Sequence, residues 1–259
     1  MIKVGLVITN HSSEKIRPYG RDLLINAYQS FVKNCKYEHH IIVIDNQSDH
    51  KLFENDLLKK QPNVHYTYIN DQWKRGLTGA WNDGIKQAFD LDCDIILNSN
   101  DDLIFNETIN NFIKEIDSHS QKNIAIFGPV TNGVNGSFVS VQYAERPNPA
   151  LSRELLGDGW AGFVSGFFFG FTKNFYQKFK YPDGDLFAEF DKFDKAYIHK
   201  YAGDCGKWGG QEMEILRFKE NGGKVFVVGE CWIDHIKKRD WSKARQIAGE
   251  YGWHLTEKF

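Results

Sequence analysis

Short apolar runs rich in β-branched residues alternate with amphipathic stretches along the first half of the chain. Ile2 to Ile8 is one such run; it ends at Thr9-Asn10 and empties into a polar loop reaching about Gly20. This reads as a central strand followed by a loop. A helical pattern then passes through Leu23, Tyr28 and Phe31, followed by a strand from His40 to Ile44, a helix near Leu52 to Leu58 and a strand from Val64 to Ile69. The alternation continues with a helix Leu77 to Phe89, a strand Cys93 to Leu97, a helix Glu107 to Ile116 and a strand Ile124 to Phe127. Strands and helices in strict alternation predict an α/β fold, an open and mostly parallel twisted sheet with helices on both faces. Ligands of such sheets sit beyond the carboxyl ends of the strands, and Thr9, Asp45 and Asp102 all fall there.

From about Gly133 the rhythm gives way to glycine- and aromatic-rich segments. The loop Tyr143 to Gly159 carries Pro147 and Pro149 and is a candidate mobile lid. Phe163 to Phe171 resembles a buried strand, Gly209 to Glu220 has helical spacing, and Lys224 to Val228 reads as a last strand. One domain over residues 1–236 is expected, with a first half at 1–130, an elaborated second half at 131–236, and a tail at 237–259.

Composition narrows the classes without naming one. With 41% hydrophobic and 25% charged residues the chain is not disordered, fibrous or repetitive. A net charge of −2 supplies no general attraction to nucleic acid or anionic lipid. The cysteines Cys35, Cys93, Cys205 and Cys231 are widely spaced and form no paired metal motif, so reduced thiols are expected. No charged-then-apolar leader is seen, and the longest apolar run is too short to cross a bilayer, so a soluble cytoplasmic protein is the expectation.

The chemistry concentrates where Ile95-Ile96-Leu97-Asn98-Ser99-Asn100 runs into Asp101-Asp102. Two neighbouring carboxylates at the end of a buried strand need a cation to offset their repulsion, or water around both. A hard divalent ion such as Mg²⁺ or Mn²⁺, completed by substrate phosphates, is the sharper explanation; a solvated turn is the plainer one.

Asp45-Asn46-Gln47-Ser48 places another acid at a strand end, able to accept from the donors of a nucleobase or to cap the next element. Lys74-Arg75-Gly76-Leu77-Thr78-Gly79-Ala80-Trp81-Asn82 puts cations and small residues at a helix start, where backbone donors favour an anion. Arg75 is equally readable as a surface charge. Asn82, an amide in mid-helix, needs a partner if it faces inward.

These segments in this order resemble the donor half of the family-2 inverting glycosyltransferases of GT-A fold. Downstream, Gly166-Phe167-Phe168-Phe169 resembles that family's small-plus-aromatic acceptor segment, and Leu186-Phe187-Ala188-Glu189-Phe190 its Phe-Asp-Glu-x-Phe stretch. Gly210-Gln211-Glu212-Met213-Glu214-Ile215 resembles its Gly-Glu-Asp-x-Glu-Leu segment, and Asp234-His235 its closing histidine.

The resemblance implies a nucleotide-diphosphate sugar donor, a UDP-sugar first of all, a divalent metal (Mn or Mg) as cofactor, and a glycan or other hydroxyl acceptor. Asp45 would hold the nucleobase, with Thr9, Ser48, Arg75, Gly79 and Asn82 on the donor side. Asp102 would ligate the metal, Asp101 would reach the metal or the donor ribose, and His235 would be a further ligand or a diphosphate contact. Glu212 stands where the family's catalytic base is usually aspartate. Gln211 and Asn100 replace acids, so fewer charges would hold the metal. Trp160, Gly166, Phe167 and Trp208 are candidate acceptor contacts, although aromatics at this density are commonly core. Glu214 reads as a surface or helix N-terminal acid.

Two rivals share parts of this pattern. A sugar-phosphate nucleotidylyltransferase would want a glycine-rich loop after the first strand, and Thr9-Asn10-His11-Ser12-Ser13 offers none. A nucleotide-sugar or glycan-binding module without turnover is the non-enzymatic alternative. Modified DNA as the acceptor rests only on Lys237-Lys238-Arg239, Lys243 and Arg245 near Trp241.

Overall fold

The computed structural model describes residues 2–14, 17–49, 61–70, 72–120, 124–132, 142–157, 162–188 and 210–236, with backbone only at 72–75, 120 and 210–213. The expected helix near Leu52 to Leu58, the residues Trp160 and Trp208, and the basic cluster after Lys237 lie outside the described residues.

Among the described residues a nine-stranded sheet organises the chain. Its first half is parallel: β1 (Lys3–Asn10) lies between β2 (Glu38–Asn46) and β4 (Ile95–Asn100), with β3 (Val64–Ile69) outside β2. Every residue of β1 after Lys3 is buried, as expected of a strand covered on both faces. On one face α1 (Gly20–Asn34) and α3 (Ile109–Ser120) pack through Leu24, Phe31, Phe112 and Ile116. On the other, α2 (Gln72–Asp90) contributes Ala80, Trp81, Ile85 and Ala88. Gly84 sets how closely α2 approaches, because a Cβ there would come within 2.3 Å of Val7 Cγ1. Inside α2, Gly76 has φ 67° and ψ −159°, so the regular helix effectively begins at Leu77, the start predicted from sequence.

The sheet is mixed rather than simply parallel. Completing it are β5 (Leu103–Ile104), β6 (Ala125–Thr131), β7 (Arg153–Glu154), β8 (Phe168–Thr172) and β9 (Lys224–His235). β8 enters antiparallel between β4 and β6. It is buried along its whole length, and an uninterrupted apolar run carries no sign of strand direction. The run expected from Phe163 pairs as strand only from Phe168 onward. Behind it α4 (Lys173–Phe179) and α5 (Gly210–Glu220) close the second core with Phe175, Phe179, Ile215 and Phe218.

Two further expectations change. β4 extends to Asn100, beyond the apolar stretch, because Asn98 and Ser99 are flanked on both sides by backbone partners in β1 and β8. β9 runs to His235 instead of stopping at Val228. Between the pairs Pro129↔Val228 and Val130↔Trp232 it bulges by Gly229, Glu230 and Cys231, and this re-aims its end toward β5.

The candidate lid is stitched down over its described part. Asn148 N–H donates to Gly229 O at 2.7 Å, Leu155 N–H donates to Val225 O at 2.8 Å, and β7 pairs antiparallel with β9. Among the described residues, no helix is long and apolar enough to cross a membrane.

Candidate active site

The parallel strands β1, β2 and β4 deliver polar residues to one end of the sheet. Thr9 and Asn10 end β1, Asp45 and Asn46 end β2, and Asn100 ends β4, side by side in register. A network joins the first two tips. Asn10 Nδ2 donates to Ser48 Oγ at 3.0 Å, Ser12 N–H donates to the same oxygen at 2.8 Å, and Ser12 Oγ donates to Asn10 Oδ1 at 3.1 Å. Asp45 Oδ1 accepts from Ser48 N–H at 3.1 Å across Gln47, whose φ of 60° makes the turn. The Tyr66 hydroxyl donates to the other Asp45 oxygen. Asp45 and Ser48 thus build the strand-end turn themselves, and Asp45 is 0% exposed.

At the tip of β4 the structure supplies a cation that the sequence reading did not single out. Arg17, from the loop after β1, forks onto Asp101: Nη1 donates to Oδ2 at 2.5 Å and Nη2 lies 2.5 Å from Oδ1. The same Nη2 is 3.5 Å from Asp102 Oδ2. Arg17 and Asp101 are 4% and 2% exposed. Burial pulls the guanidinium toward its neutral form, but the charges and hydrogen bond of Asp101, with Asp102 behind them, outweigh it and hold its pKa above the ordinary arginine value. Asp101, expected at the metal or the ribose, is the anionic half of a bidentate ion pair, both oxygens facing a guanidinium. A buried strand-tip acid pair demanded a cation, and an arginine in the adjoining polar loop was the signal available.

Asp102 is more open and has a different neighbour. Its Oδ1 lies 3.3 Å from His235 Nε2. The bulge in β9 brings His235 there, pairing it with Leu103, while Asp102 O accepts from Ile236 N–H at 2.8 Å. The imidazole is stacked on Phe167, centroids 5.1 Å apart and planes 20° apart. Phe167 is 3% exposed, so this candidate acceptor contact supports His235 from below. Asn132 fixes the backbone here, its Oδ1 accepting from His235 N–H at 3.0 Å and its Nδ2 donating to Asp234 Oδ1 at 2.7 Å.

One carboxylate and one imidazole meeting at a strand tip fit a divalent metal of the Mn²⁺ or Mg²⁺ type. His235 Nδ1 is buried with no hydrogen-bond partner among the described residues, and Nε2 is the ring nitrogen that faces Asp102. Among the described residues no three His, Cys, Asp or Glu side chains gather as a metal cluster.

The other candidates separate. Asn82, expected at the donor, is 0% exposed, and its amide is taken up by backbone: Oδ1 accepts from Leu186 N–H at 3.1 Å and Phe187 N–H at 3.0 Å, and Nδ2 donates to Phe187 O at 2.7 Å. It braces the segment leading to Glu189. Glu214 is likewise no surface acid. At 2% exposure it pairs with Arg217 and accepts from Tyr181 OH at 2.8 Å and Ala188 N–H at 3.0 Å. Arg217 extends the clamp to Phe179 O and Leu186 O at 2.8 and 3.0 Å. Glu212 lies in the first turn of α5, two residues before Glu214, and Arg75 in the turn before Gly76; their side chains fall outside the described residues. Gly79 is buried in α2 and Gly166 half-buried just before β8.

Comparison with known proteins bears on the family and the fold. The family model described as glycosyl transferase family 2 matches residues 17–179. No curated protein matches the sequence. Among solved structures, GalNAc-T7 with UDP, GalNAc and Mn²⁺ superposes with a TM-score of 0.62 at 14% identity, over 98% of this chain and 45% of its own. The chain thus spans less than half of that protein's chain. S. aureus TarS 1-349 in complex with UDP-GlcNAc gives 0.59 at 17% identity, covering 99% and 68%. The same TarS segment without that ligand gives 0.54 at 15%, covering 99% and 67%. At these identities the likeness concerns the fold, and the GT-A-type sheet expected from the sequence is the fold observed. With its matched region exceeding half its length, the chain belongs to glycosyl transferase family 2.

Proposed function

We propose that the chain transfers a glycosyl group from a nucleoside diphosphate sugar, a UDP-sugar in the first instance, to an acceptor hydroxyl with inversion at the anomeric carbon. The observation that carries this reading is the Asp102–His235 pair at the tip of β4, beside a second carboxylate whose charge Arg17 balances. The UDP-bound state of GalNAc-T7 and the UDP-GlcNAc complex of TarS, on the same kind of sheet, support the donor class. Residues 1–130 form the donor half of one catalytic unit, 131–236 its acceptor half, and 237–259 a tail.

Asp102 and His235 are the residues that would hold a divalent metal, which when bound supplies positive charge against the departing diphosphate. Their mixed oxygen and nitrogen donor set suits Mn²⁺ better than Mg²⁺. Asp45 takes the nucleobase edge; Thr9, Ser48, Gly79 and Arg75 line the donor. Glu212 accepts the proton of the acceptor hydroxyl as its oxygen attacks the anomeric carbon, and the electron pair of the broken bond leaves with the diphosphate. General-base assistance of this kind contributes about 10²- to 10⁴-fold. The acceptor is a glycan or another hydroxyl-bearing molecule, with Gly166, Phe167, Trp160 and Trp208 as its candidate contacts.

Incubation with a panel of UDP-sugars and Mn²⁺, with release of UDP as the readout, tests the activity. Wild type should release UDP, and Glu212→Gln should bind donor equally well by calorimetry yet release almost none. Release by Glu212→Gln at the wild-type rate contradicts the base assignment. Donor binding without release under any condition favours a binding module, the reading that the replaced acids at Asn100 and Gln211 support.

A further inference from the structure

Asp102 lies between a guanidinium and an imidazole. Arg17 Nη2 lies 3.5 Å from one carboxylate oxygen and His235 Nε2 lies 3.3 Å from the other. The guanidinium is itself fixed by the two 2.5 Å contacts to Asp101, and its Nε has no competing acceptor among the described residues, so the two acids alone set its orientation. A planar fork with two parallel contacts defines a direction that a lysine ammonium cannot reproduce.

The backbone around Arg17 is tied to the opposite side of the site. Arg17 N–H donates to Ser13 O at 2.8 Å, and Gly20 N–H donates to Arg17 O at 3.0 Å. One residue before Ser13, Ser12 bonds Ser48 Oγ through its N–H and accepts from Asp49 N–H at 2.9 Å through its carbonyl. The loop after β1 thus links the Asp45–Ser48 turn to the acids beyond β4, with Arg17 as the contact at the acidic end.

We infer that Arg17 is a positioning residue of the metal–diphosphate site: it withdraws Asp101 from ligation and presets Asp102 toward His235, so that one aspartate and one histidine, not two aspartates, present the metal. This rests on the proposed reading of Asp102 and His235 as the metal pair. A bare pair of adjacent buried carboxylates would bind a divalent cation by charge alone and hold it wherever the two oxygens fell. With Asp101 neutralised, the site has low affinity for the metal by itself and gains it when a diphosphate adds its oxygens.

The test measures binding of Mn²⁺ in the presence of UDP, by electron paramagnetic resonance of the free ion, for wild type, Asp102→Asn, Asp101→Asn, Arg17→Lys and the double variant Arg17→Met/Asp101→Asn. Asp101→Asn, which keeps one acceptor for the guanidinium but not the paired contact, should lose no more than Arg17→Lys does, because that oxygen pair orients Arg17 and is not itself a ligand. Arg17→Lys should lose roughly 10- to 100-fold, the usual cost of removing a residue that orients a metal ligand. The double variant removes both members of the buried ion pair and so leaves no unbalanced charge; it should fold while still binding Mn²⁺–UDP as weakly as Arg17→Lys. Wild-type affinity in the double variant would reduce Arg17 to a counter-ion for Asp101 and overturn the inference. A loss in Asp101→Asn well beyond that of Arg17→Lys would overturn it too, by making Asp101 a ligand. Retention of Mn²⁺–UDP binding by Asp102→Asn would instead sink the metal-pair reading itself, a different outcome from either of these.

Discussion

Asn82 holds the peptide of Phe187 from both ends, its Oδ1 accepting from Phe187 N–H at 3.0 Å and its Nδ2 donating to Phe187 O at 2.7 Å. A side-chain amide here does what a neighbouring strand would do for an isolated segment, and it joins α2 to the chain at 185–188. Replacement by alanine strands those backbone groups and Leu186 N–H in a fully buried place. Asn82→Ala should therefore lower stability by on the order of 2–3 kcal/mol, read from urea midpoints, with donor affinity changed far less than stability. Unchanged stability together with lost UDP affinity would return Asn82 to the donor site.

Glu214 and Arg217 form the second brace on the same segment. Either single alanine variant leaves a partly or wholly buried charge without its partner, and each should cost about 2–4 kcal/mol. The double variant should cost clearly less than the sum, because the second substitution removes the group the first left stranded. A double-mutant cycle by chemical denaturation checks this. Strict additivity would show that the pair does not couple.

His40 gives the fold a pH dependence of defined sign. Burial, then the neighbouring His65 and Lys3, hold its pKa below the usual 6.5, with Glu38 opposing. The folded state resists the proton that the unfolded chain accepts, so this contribution is complete above about 6.5 and is lost as pH falls below it toward the folded value. Urea midpoints taken at about pH 7.5 and about pH 5.5 should show a drop that is smaller in His40→Asn. An equal drop in both proteins would remove His40 from the account.

The thiols should be inert in the native protein. Burial pushes Cys93 up to about 12, and raises Cys35 and Cys231 as well. At about pH 8 iodoacetamide should leave these three unmodified in native protein and alkylate them after unfolding in urea, as peptide mass mapping would show. Rapid native labelling of Cys93 would contradict the burial.

Much of this architecture is legible in the amino-acid order, and the failures are instructive. Where one strand carries its own signal, as in β1 with its β-branched run and polar exit, both element and strand-end residues follow from sequence. Direction and pairing do not: nothing within Phe168–Thr172 says that it runs antiparallel between β4 and β6. The site divides on the same line. Asp102 and His235 are recognisable as types in order, but their meeting depends on a bulge at Gly229 to Cys231 that no local pattern announces. Arg17 was missed because its partners lie on the far side of the chain in sequence; a long-range ion pair leaves no periodicity. For Asn82, Phe167 and Glu214 the residue type is legible in sequence, but the buried neighbour that each one meets is not.

The most direct measurement is calorimetric titration of UDP into the protein with and without Mn²⁺, for wild type, Asp102→Asn and His235→Ala. Mn²⁺ should tighten UDP binding to wild type by at least about tenfold, and that gain should vanish in Asp102→Asn and fall sharply in His235→Ala, while UDP affinity without metal stays similar in all three. The same metal-dependent gain in Asp102→Asn as in wild type would contradict the central claim that the tip of β4 is where the donor's diphosphate meets its cation.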